Sequence, residues 1–413
     1  MKNNINLVKG THDLVGLDLE KYNYILENFK NICNQFSFKE IITPIIEQEE
    51  LFVRGVGEMT DIVSKEMYTF IDQGEKKICL RPEATSGIAR FAASNYESGL
   101  MKLFTYGPMF RRERPQKGRY RQFNQLNIEI IGDESFYSDF EVIYIANNLL
   151  DSIGLKNKFK LLINSIGTKE DQMNYSKALY EFLKLKKDQL SEVSQQRLEK
   201  NTLRILDSKD PNDQLIISTA PKLKEFLSIK SLDFYRGVKD LLSSHGVEFI
   251  EDHLLVRGLD YYSHTAFEFQ TFEDKRQNTI LAGGRYDELI SLISSRNIPG
   301  IGWAAGIERL IDLVSMPEKP IIKKSILIAV QNLSYISEYK LINIVSKLDV
   351  QFEVKFNNNI KKLFTYADKN NYDYIALVGE EEFSSSSIVI KNLKLKEQKK
   401  ILIKDLDLSN EIR

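Results

Sequence analysis

The residues that could do chemistry are concentrated between Gly107 and Gly132. The stretch Phe110–Arg121 holds five arginines and one lysine against one glutamate, a local balance of +5. Such a run is either a solvated basic hairpin or a polyanion site, where guanidinium forks meet phosphate oxygens in pairs. The residues that follow are more restrictive. If Arg121–Ile131 is a strand, alternate side chains share a face. That puts Arg121, Phe123, Gln125, Asn127 and Glu129 on one side and Leu126, Ile128 and Ile130 on the other. The apolar side must be core. The polar side lines up a cation, an aromatic plate, amides and a carboxylate, a wall able to hold a phosphate, a nucleobase and a small polar molecule side by side. A solvated sheet face would tolerate the same residues without requiring them.

Three further constellations are spaced along the chain. In Arg81-Pro82-Glu83-Ala84-Thr85 the proline ends a ladder, and Glu83 and Thr85 point the same way. A carboxylate there could bind an ammonium group, or Glu83 or Thr85 could simply cap a helix. In Val256-Arg257-Gly258-Leu259-Asp260-Tyr261-Tyr262, the glycine allows close backbone approach, and Arg257 and the tyrosines could line a pocket or serve structure alone. The third pairs Gly283-Gly284-Arg285-Tyr286-Asp287 with Gly300–Leu310. Neither glycine cluster has the GxGxxG or GxxxxGK[ST] spacing of the common nucleotide-binding loops, so any ATP site is of another kind.

The elements that must position these residues follow from periodicity. Leu19–Phe36 carries apolar residues at helical spacing. Ile41–Ile46 reads as a strand broken by Pro44, hence an edge or a partner of something irregular. Lys77–Arg81, Leu103–Glu113 and Gln122–Ile131 read as strands, the last two as a long antiparallel hairpin, and Asp139–Ser152 as a helix. From about 168 to 239, Lys, Glu, Leu and Gln dominate and helical spacing recurs, which predicts a helical insertion. Strands are predicted again at His253–Gly258 and Thr265–Thr271, and the glycine clusters precede a helix at Ala305–Val314. Pro317 and Pro320 bracket a linker. From Lys323 onward strands at Ile326–Val330, Phe352–Phe356, Tyr374–Val378 and Ser387–Lys391 alternate with helices at Ser337–Lys347 and Ile360–Asn370. This alternation predicts a separate small α/β domain.

Composition bounds the reading. In 413 residues, 57 Lys and Arg face 58 Asp and Glu, a formal charge of −1, which argues against a polybasic binder that grips nucleic acid by bulk charge. The C-terminal stretch 323–413 carries +3 and the remainder −4. Lys361-Lys362 in the former is a plausible phosphate contact. Hydrophobic residues at 42% exclude a disordered chain. Cys33 and Cys79 lie far apart outside any CxxC pattern, as in a reduced cytosolic protein, and the four histidines lack metal-ligand spacing. Met1–Ile5 opens without an apolar run of signal length, and no stretch approaches the roughly 20 apolar residues of a membrane helix.

Taken in order, these motifs resemble those of class II aminoacyl-tRNA synthetases. The first helix with the Pro44 strand resembles the dimer-forming motif 1, Phe110-Arg111-Arg112-Glu113 with its returning strand motif 2, and Gly306-Ile307-Glu308-Arg309 motif 3. Leu255–Tyr262 and Gly283–Asp287 resemble signatures peculiar to the histidyl-tRNA synthetase family, and the likeness covers nearly the whole chain. It implies an α+β fold: an antiparallel-sheet catalytic domain over 1–322 with the insertion at about 168–239, then an α/β anticodon-binding domain over 323–413. It also implies ATP-dependent activation of L-histidine, transfer to tRNA-His, Mg²⁺ on the ATP phosphates and a cytoplasmic homodimer with no membrane part.

By the same resemblance, Arg111 and Arg257 are catalytic, on opposite sides of the α-phosphate. Glu83, Ala84, Thr85, Arg111, Gln125, Glu129, Arg257, Tyr261 and Tyr262 bind histidine. Arg111, Glu113, Arg119, Arg121, Phe123 and Arg309 bind ATP, with adenine between Phe123 and Arg309. Departures from the family's commonest pattern are Ala84 for glycine, Trp303 for phenylalanine, and Asn127-Ile128 for a Gly-Cys-type pair. Ala84 could narrow the backbone's approach to substrate. The alternative is a non-catalytic paralogue that regulates ATP phosphoribosyltransferase; such proteins typically lack the C-terminal domain and degrade the Arg257 signature, and both are present here. A non-catalytic RNA-binding protein would have no need of Glu129 opposite two tyrosines.

Overall fold

The computed structural model describes residues 5–58, 60–116, 118–255, 261–272, 278–316, 324–332, 334–338 and 350–403. The chain divides into two compact units, Met1–Ser315 and Met316–Arg413.

The first unit opens with α1 (Gly16–Gln35), whose Ile25, Phe29, Ile32 and Cys33 are buried on one face, as helical spacing requires. Where one strand was expected at Ile41–Ile46, two short ones form, β1 (Lys39–Glu40) and β2 (Ile46–Gln48). Residues 41–45 between them leave the ladder around Pro44, which has no N–H to give. The Arg81 guanidinium holds this segment instead. Its Nη1 donates to the Thr43 carbonyl at 3.0 Å and to Thr43 Oγ1 at 2.9 Å. After α2 (Glu49–Val56), β3 (Tyr68–Ile71) and β4 (Lys77–Leu80) join β2 in a small sheet of order β2-β4-β3.

Next come α3 (Thr85–Asn95) and the hairpin of β5 (Met101–Phe110) and β6 (Gln122–Ile131). The hairpin is antiparallel from the Met101–Ile131 pair to the Phe110–Gln122 pair. The strand expected to reach Glu113 stops at Phe110, so Arg111–Pro115 is irregular backbone. Then follow α4 (Phe136–Ser152), β7 (Phe159–Ser165), α5 (Lys169–Lys184), α6 (Glu192–Lys200), α7 (Pro211–Ile217) and α8 (Ile229–Ser244). The unit closes with β8 (Ile250–Glu251), β9 (Ser263–Thr271), β10 (Thr279–Arg285), α9 (Leu289–Ile293), β11 (Gly300–Gly306) and α10 (Ile307–Leu313). The strand expected at His253–Gly258 forms earlier, as β8. His253 and Leu254 turn, and Val256–Asp260 lie outside the described residues.

The large sheet runs β1-β5-β6-β11-β10-β9-β7-β8, antiparallel except for its two outermost pairs. On one face, Leu126, Ile128 and Ile130 of β6 pack with residues of α1, α4, α8 and α10 in the main core. Each such side chain contributes roughly 1.5–3 kcal/mol relative to leaving it exposed. On the other face α2, α3 and α9 build a second core around Phe52, Ile88 and Leu289. The opposite face of β6 is left open toward a cleft. The glycine clusters expected to precede a helix lie inside β10 and β11 themselves.

The insertion is helical as predicted, with its own core of Tyr175, Leu179, Leu198, Ile205 and Leu223. Its last helix behaves differently. Tyr235, Val238 and Leu242 of α8 belong to the main core, so by packing the insertion ends before α8. One capping carboxylate ties α5 to α8: Asp171 accepts from the backbone N–H of Thr168 at the start of α5 and of Ser228 at the start of α8.

The second unit has a five-stranded sheet. Ser325–Val330 runs parallel to both Gln351–Phe356 and Tyr374–Val378; Ser387–Asn392 pairs antiparallel with the latter, and Gln398–Leu402 pairs antiparallel with Ser387–Asn392. The helix Ile360–Lys369 packs Leu363 and Ala367 on one face. The last strand and a short helix, Glu380–Ser384, were not anticipated. Of the helix expected at Ser337–Lys347, only Ser337 and Glu338 fall within the described residues, as the end of Ser334–Glu338. The Pro317–Pro320 linker lies outside them.

Candidate active site

A cleft of about 310 Å³ opens over the face of β6 that the main core leaves free. It is large enough for a small ligand. Its two ends differ in chemistry.

The closed end is built around Glu129, which is fully buried. In the sheet Glu129 pairs with Gly302 of β11. Its side chain lies across that residue so closely that a Cβ at position 302 would sit 1.8 Å from Glu129 Oε2. A side chain at position 284 would likewise meet the Tyr262 ring at 2.7 Å. The glycines are thus a floor that lets the pocket's own side chains lie flat.

Two hydroxyls hold the carboxyl. Thr85 Oγ1 donates to Glu129 Oε1 at 2.7 Å, and the Tyr286 hydroxyl donates to Oε2 at 2.6 Å. Asn127 Nδ2 donates to Thr85 Oγ1 at 3.4 Å, which directs the threonine proton toward Glu129. Burial pushes the Glu129 carboxyl up to about 8, against the pull of these hydrogen bonds. Burial also raises the Tyr261 and Tyr286 phenols well above their usual range. Tyr286 is anchored by its neighbour Arg285, whose buried guanidinium donates to Asp139, to Asp287 and to the carbonyls of Asp133 and Ser135.

Glu83 takes the capping role. Its two oxygens accept from the backbone N–H of Thr85 (2.7 Å) and Ser86 (2.8 Å), capping α3, and it also lines the cleft. Gln125 lines the cleft beside it, and among the described residues its buried Oε1 has no hydrogen-bond partner. Such an acceptor suits an incoming donor.

The open end is charged. Arg111 donates from Nε to the Pro82 carbonyl at 2.9 Å and lies over the Phe123 ring, 5.3 Å from its centroid. Arg119 pairs with Glu113 at 3.1 Å. Arg309 reaches across from α10 to the carbonyls of Gly118 (3.2 Å) and Thr279 (2.6 Å). Burial lowers the Arg309 guanidinium below its usual value, yet an arginine keeps its charge. Glu66 stands nearby, raised by burial and by Glu113.

The structure brings together Glu83, Thr85, Arg111, Glu113, Arg119, Phe123, Gln125, Glu129, Tyr261, Tyr262 and Arg309 on one lining. Two expected residues, Arg121 and Ala84, are not part of it. Arg121 precedes β6 at a bend and so leaves the pleat; its stem lies against Gly10. Ala84 is buried at the N-terminus of α3 with φ −98°, so it neither faces the cleft nor strains the backbone. Arg257 lies outside the described residues. Tyr286 is the partner the sequence reading missed. The Gly-Gly-Arg-Tyr motif marked its position, but only the register of β10 against β11 and β6 points its hydroxyl at Glu129.

The family model described as histidyl-tRNA synthetase matches residues 10–310, and one described as anticodon binding domain matches 337–407. The chain is 39% identical over 401 residues to a histidine–tRNA ligase of Gluconobacter oxydans, covering 96% of each. It is 41% identical over 393 residues to the chloroplastic histidine–tRNA ligase of Gracilaria tenuistipitata, covering 94% of this chain and 93% of that one. Among solved structures it superposes on apo histidyl-tRNA synthetase of S. aureus with a TM-score of 0.80 at 30% identity, covering 99% and 100% of the two chains. A protein from Bacillus halodurans titled both ATP phosphoribosyltransferase regulatory subunit and histidyl-tRNA synthetase has a TM-score of 0.66 over 92% of this chain and 99% of that one. At 20% identity that likeness shows the fold alone. With a buried carboxyl at one end of its cleft, arginines at the other, and this identity over nearly its whole length, the chain belongs to the histidyl-tRNA synthetase family.

Proposed function

We propose that the cleft carries out both halves of histidine–tRNA ligation through a division of labour between its two ends. The enzyme joins L-histidine to ATP, giving histidyl-adenylate and pyrophosphate, and passes the histidyl group to the 3′ end of tRNA-His. The single observation that carries this assignment is the buried Glu129, held by Thr85 and Tyr286 at the closed end of a cleft whose open end is lined by arginines.

In this reading the imidazole enters the closed end against Glu129, Tyr261 and Tyr262. The unpartnered Gln125 Oε1, with Glu83 and Thr85, takes the α-ammonium. The substrate carboxylate then points toward Arg111, which binds the α-phosphate, and adenine lies between Phe123 and Arg309. Arg119 and Glu113 flank the remaining phosphates; Arg121, turned toward Gly10, would have to swing to join them. Arg257 is assigned to the opposite side of the α-phosphate. The substrate carboxylate is itself the nucleophile, so alignment and charge stabilisation supply the rate and no general base is required.

Mg²⁺ fits the donor set modestly. Glu113 and Glu268 are hard oxygen donors on the cleft lining, and such an ion is usually held by one or two carboxylates plus substrate phosphates, whose charge it neutralises.

Residues 323–413 are assigned to anticodon binding, 1–322 to catalysis, and about 168–239 to the insertion. A homodimer through α1 and the Pro44 segment is supported by the exposure of Ile42, Ile45 and Ile46. A cytoplasmic location is supported by the two free, buried cysteines. Among the described residues no helix is long and apolar enough to cross a membrane. The test is amino-acid-dependent exchange of pyrophosphate into ATP, run with each amino acid in turn. Exchange with histidine alone is expected; none with any amino acid would refute the assignment.

A further inference from the structure

The closed end of the cleft contains an internal conflict. Each oxygen of Glu129 accepts from a hydroxyl, Thr85 on Oε1 and Tyr286 on Oε2. Two donors, one to each oxygen, is the arrangement a carboxylate wants, because the O–H oxygen of a neutral acid is a poor acceptor. Yet Glu129 is fully buried, and among the described residues no lysine, arginine or histidine forms an ion pair with it. Among the described residues, the titratable groups facing it from the surrounding elements are another carboxylate, Glu83, and the phenols of Tyr261, Tyr262 and Tyr286. None of these supplies positive charge. A buried anion without a cation is costly, so in the empty pocket the carboxyl keeps its proton, in line with its elevated titration point.

We propose that histidine resolves this conflict by binding as the imidazolium, its ring taking the proton of Glu129 and leaving the carboxylate as its counter-ion. The inference rests on the assignment of this end to the histidine ring. The transfer balances internally. A neutral carboxyl and a neutral imidazole become a carboxylate and an imidazolium, with no proton exchanged with solvent.

The product explains why such a state is useful. In histidyl-adenylate a neutral ring could turn its Nδ1 lone pair on the activated carbonyl carbon of the same molecule. A C–N bond would form, the C–O bond to the phosphate would break, AMP would leave with the electron pair, and the proton on Nε2 would pass to water. Water would then hydrolyse the acyl-imidazole to free histidine. A protonated Nδ1 has no lone pair, so the intermediate survives until tRNA arrives.

The direct test is ¹⁵N NMR of ring-labelled histidine bound to the full chain at pH 7.5, where a free ring of usual pKa about 6.5 is mostly neutral. Both ring nitrogens of the bound molecule should carry protons; one bare nitrogen overturns the proposal. A second measurement follows AMP release from histidine, ATP and enzyme without tRNA, normalised to adenylate formed. Glu129→Gln should raise this rate at least tenfold, and Tyr286→Phe, which keeps the carboxyl but loses one donor, should raise it less. Adenylate as long-lived in both variants as in the parent removes the protective role. Normal histidine-dependent exchange together with a neutral bound ring would defeat this inference and leave the ligase assignment intact.

Discussion

The two ends of the cleft solve different problems with different materials. At the closed end the polar groups are few and buried, and Glu129 is bonded on both oxygens over a floor of glycines. At the open end the charges are many and partly solvated. The Arg119 side chain is 40% exposed, and its bond to Glu113 is a loose one at 3.1 Å. Buried polar groups reject ligands that leave them unpaired, which is the physics of selection. Partly solvated guanidiniums suit an anion whose charge grows and shifts during reaction, which is the physics of rate. The comparison predicts that damage at the open end appears mainly in kcat and damage at the closed end mainly in the KM for histidine.

The sharpest test of that division is Arg111→Ala. With Arg111 assigned to the α-phosphate, its loss should lower the exchange kcat by about 10²–10³ with a small change in the KM for histidine. A loss confined to KM would erase the distinction between the ends.

Gly302→Ala comes next. The new methyl would overlap Glu129 Oε2 and also stand 2.2 Å from the Ile128 carbonyl, which is backbone and cannot swing aside. Overpacking of this kind costs about 3 kcal/mol at the upper end, so the KM for histidine should rise about 100-fold while the KM for ATP is nearly unchanged.

Tyr286→Phe removes one of the two donors and nothing else. The KM for histidine should rise about tenfold, the lower range for a hydrogen bond to a charged group. A larger fall in kcat than in affinity would show that Tyr286 belongs to the reaction rather than to recognition.

The smallest effect is on stability. The Glu129 carboxyl is raised from 4.5 to about 8 by folding, so its contribution is fully present below about 4.5 and is lost as pH rises through about 8. Glu129→Gln, a mimic of the neutral acid, should therefore melt a few degrees above the parent at pH 8, and the gap should close near pH 5. Calorimetry of the ligand-free chain at the two pH values decides it.

Much of this site was legible because strand alternation is local. Once Gln122–Ile131 is a strand, Phe123, Gln125 and Glu129 must share a face opposite Leu126, Ile128 and Ile130, and they do. The same rule failed one residue outside the strand, where a bend turns Arg121 toward Gly10. It also failed at Ile41–Ile46, because the buried Arg81 guanidinium, distant in sequence, replaced the ladder that Pro44 interrupts. The helical character of the insertion was readable from composition, but the allegiance of α8 to the main core was not, since its apolar stripe would suit either neighbour.

By itself, then, the sequence determined the parts: the core helix, the basic hairpin, the wall of polar side chains on β6, and the alternating strands and helices of the C-terminal unit. These follow from interactions between residues near in the chain. Only the tertiary structure decided that Glu129 lies over Gly302, that Tyr286 and Thr85 each take one of its oxygens, and that Arg309 closes the cleft from the far side. Those pairings join residues some 40 to 190 positions apart. They are fixed by the order and register of the strands, which no local periodicity encodes.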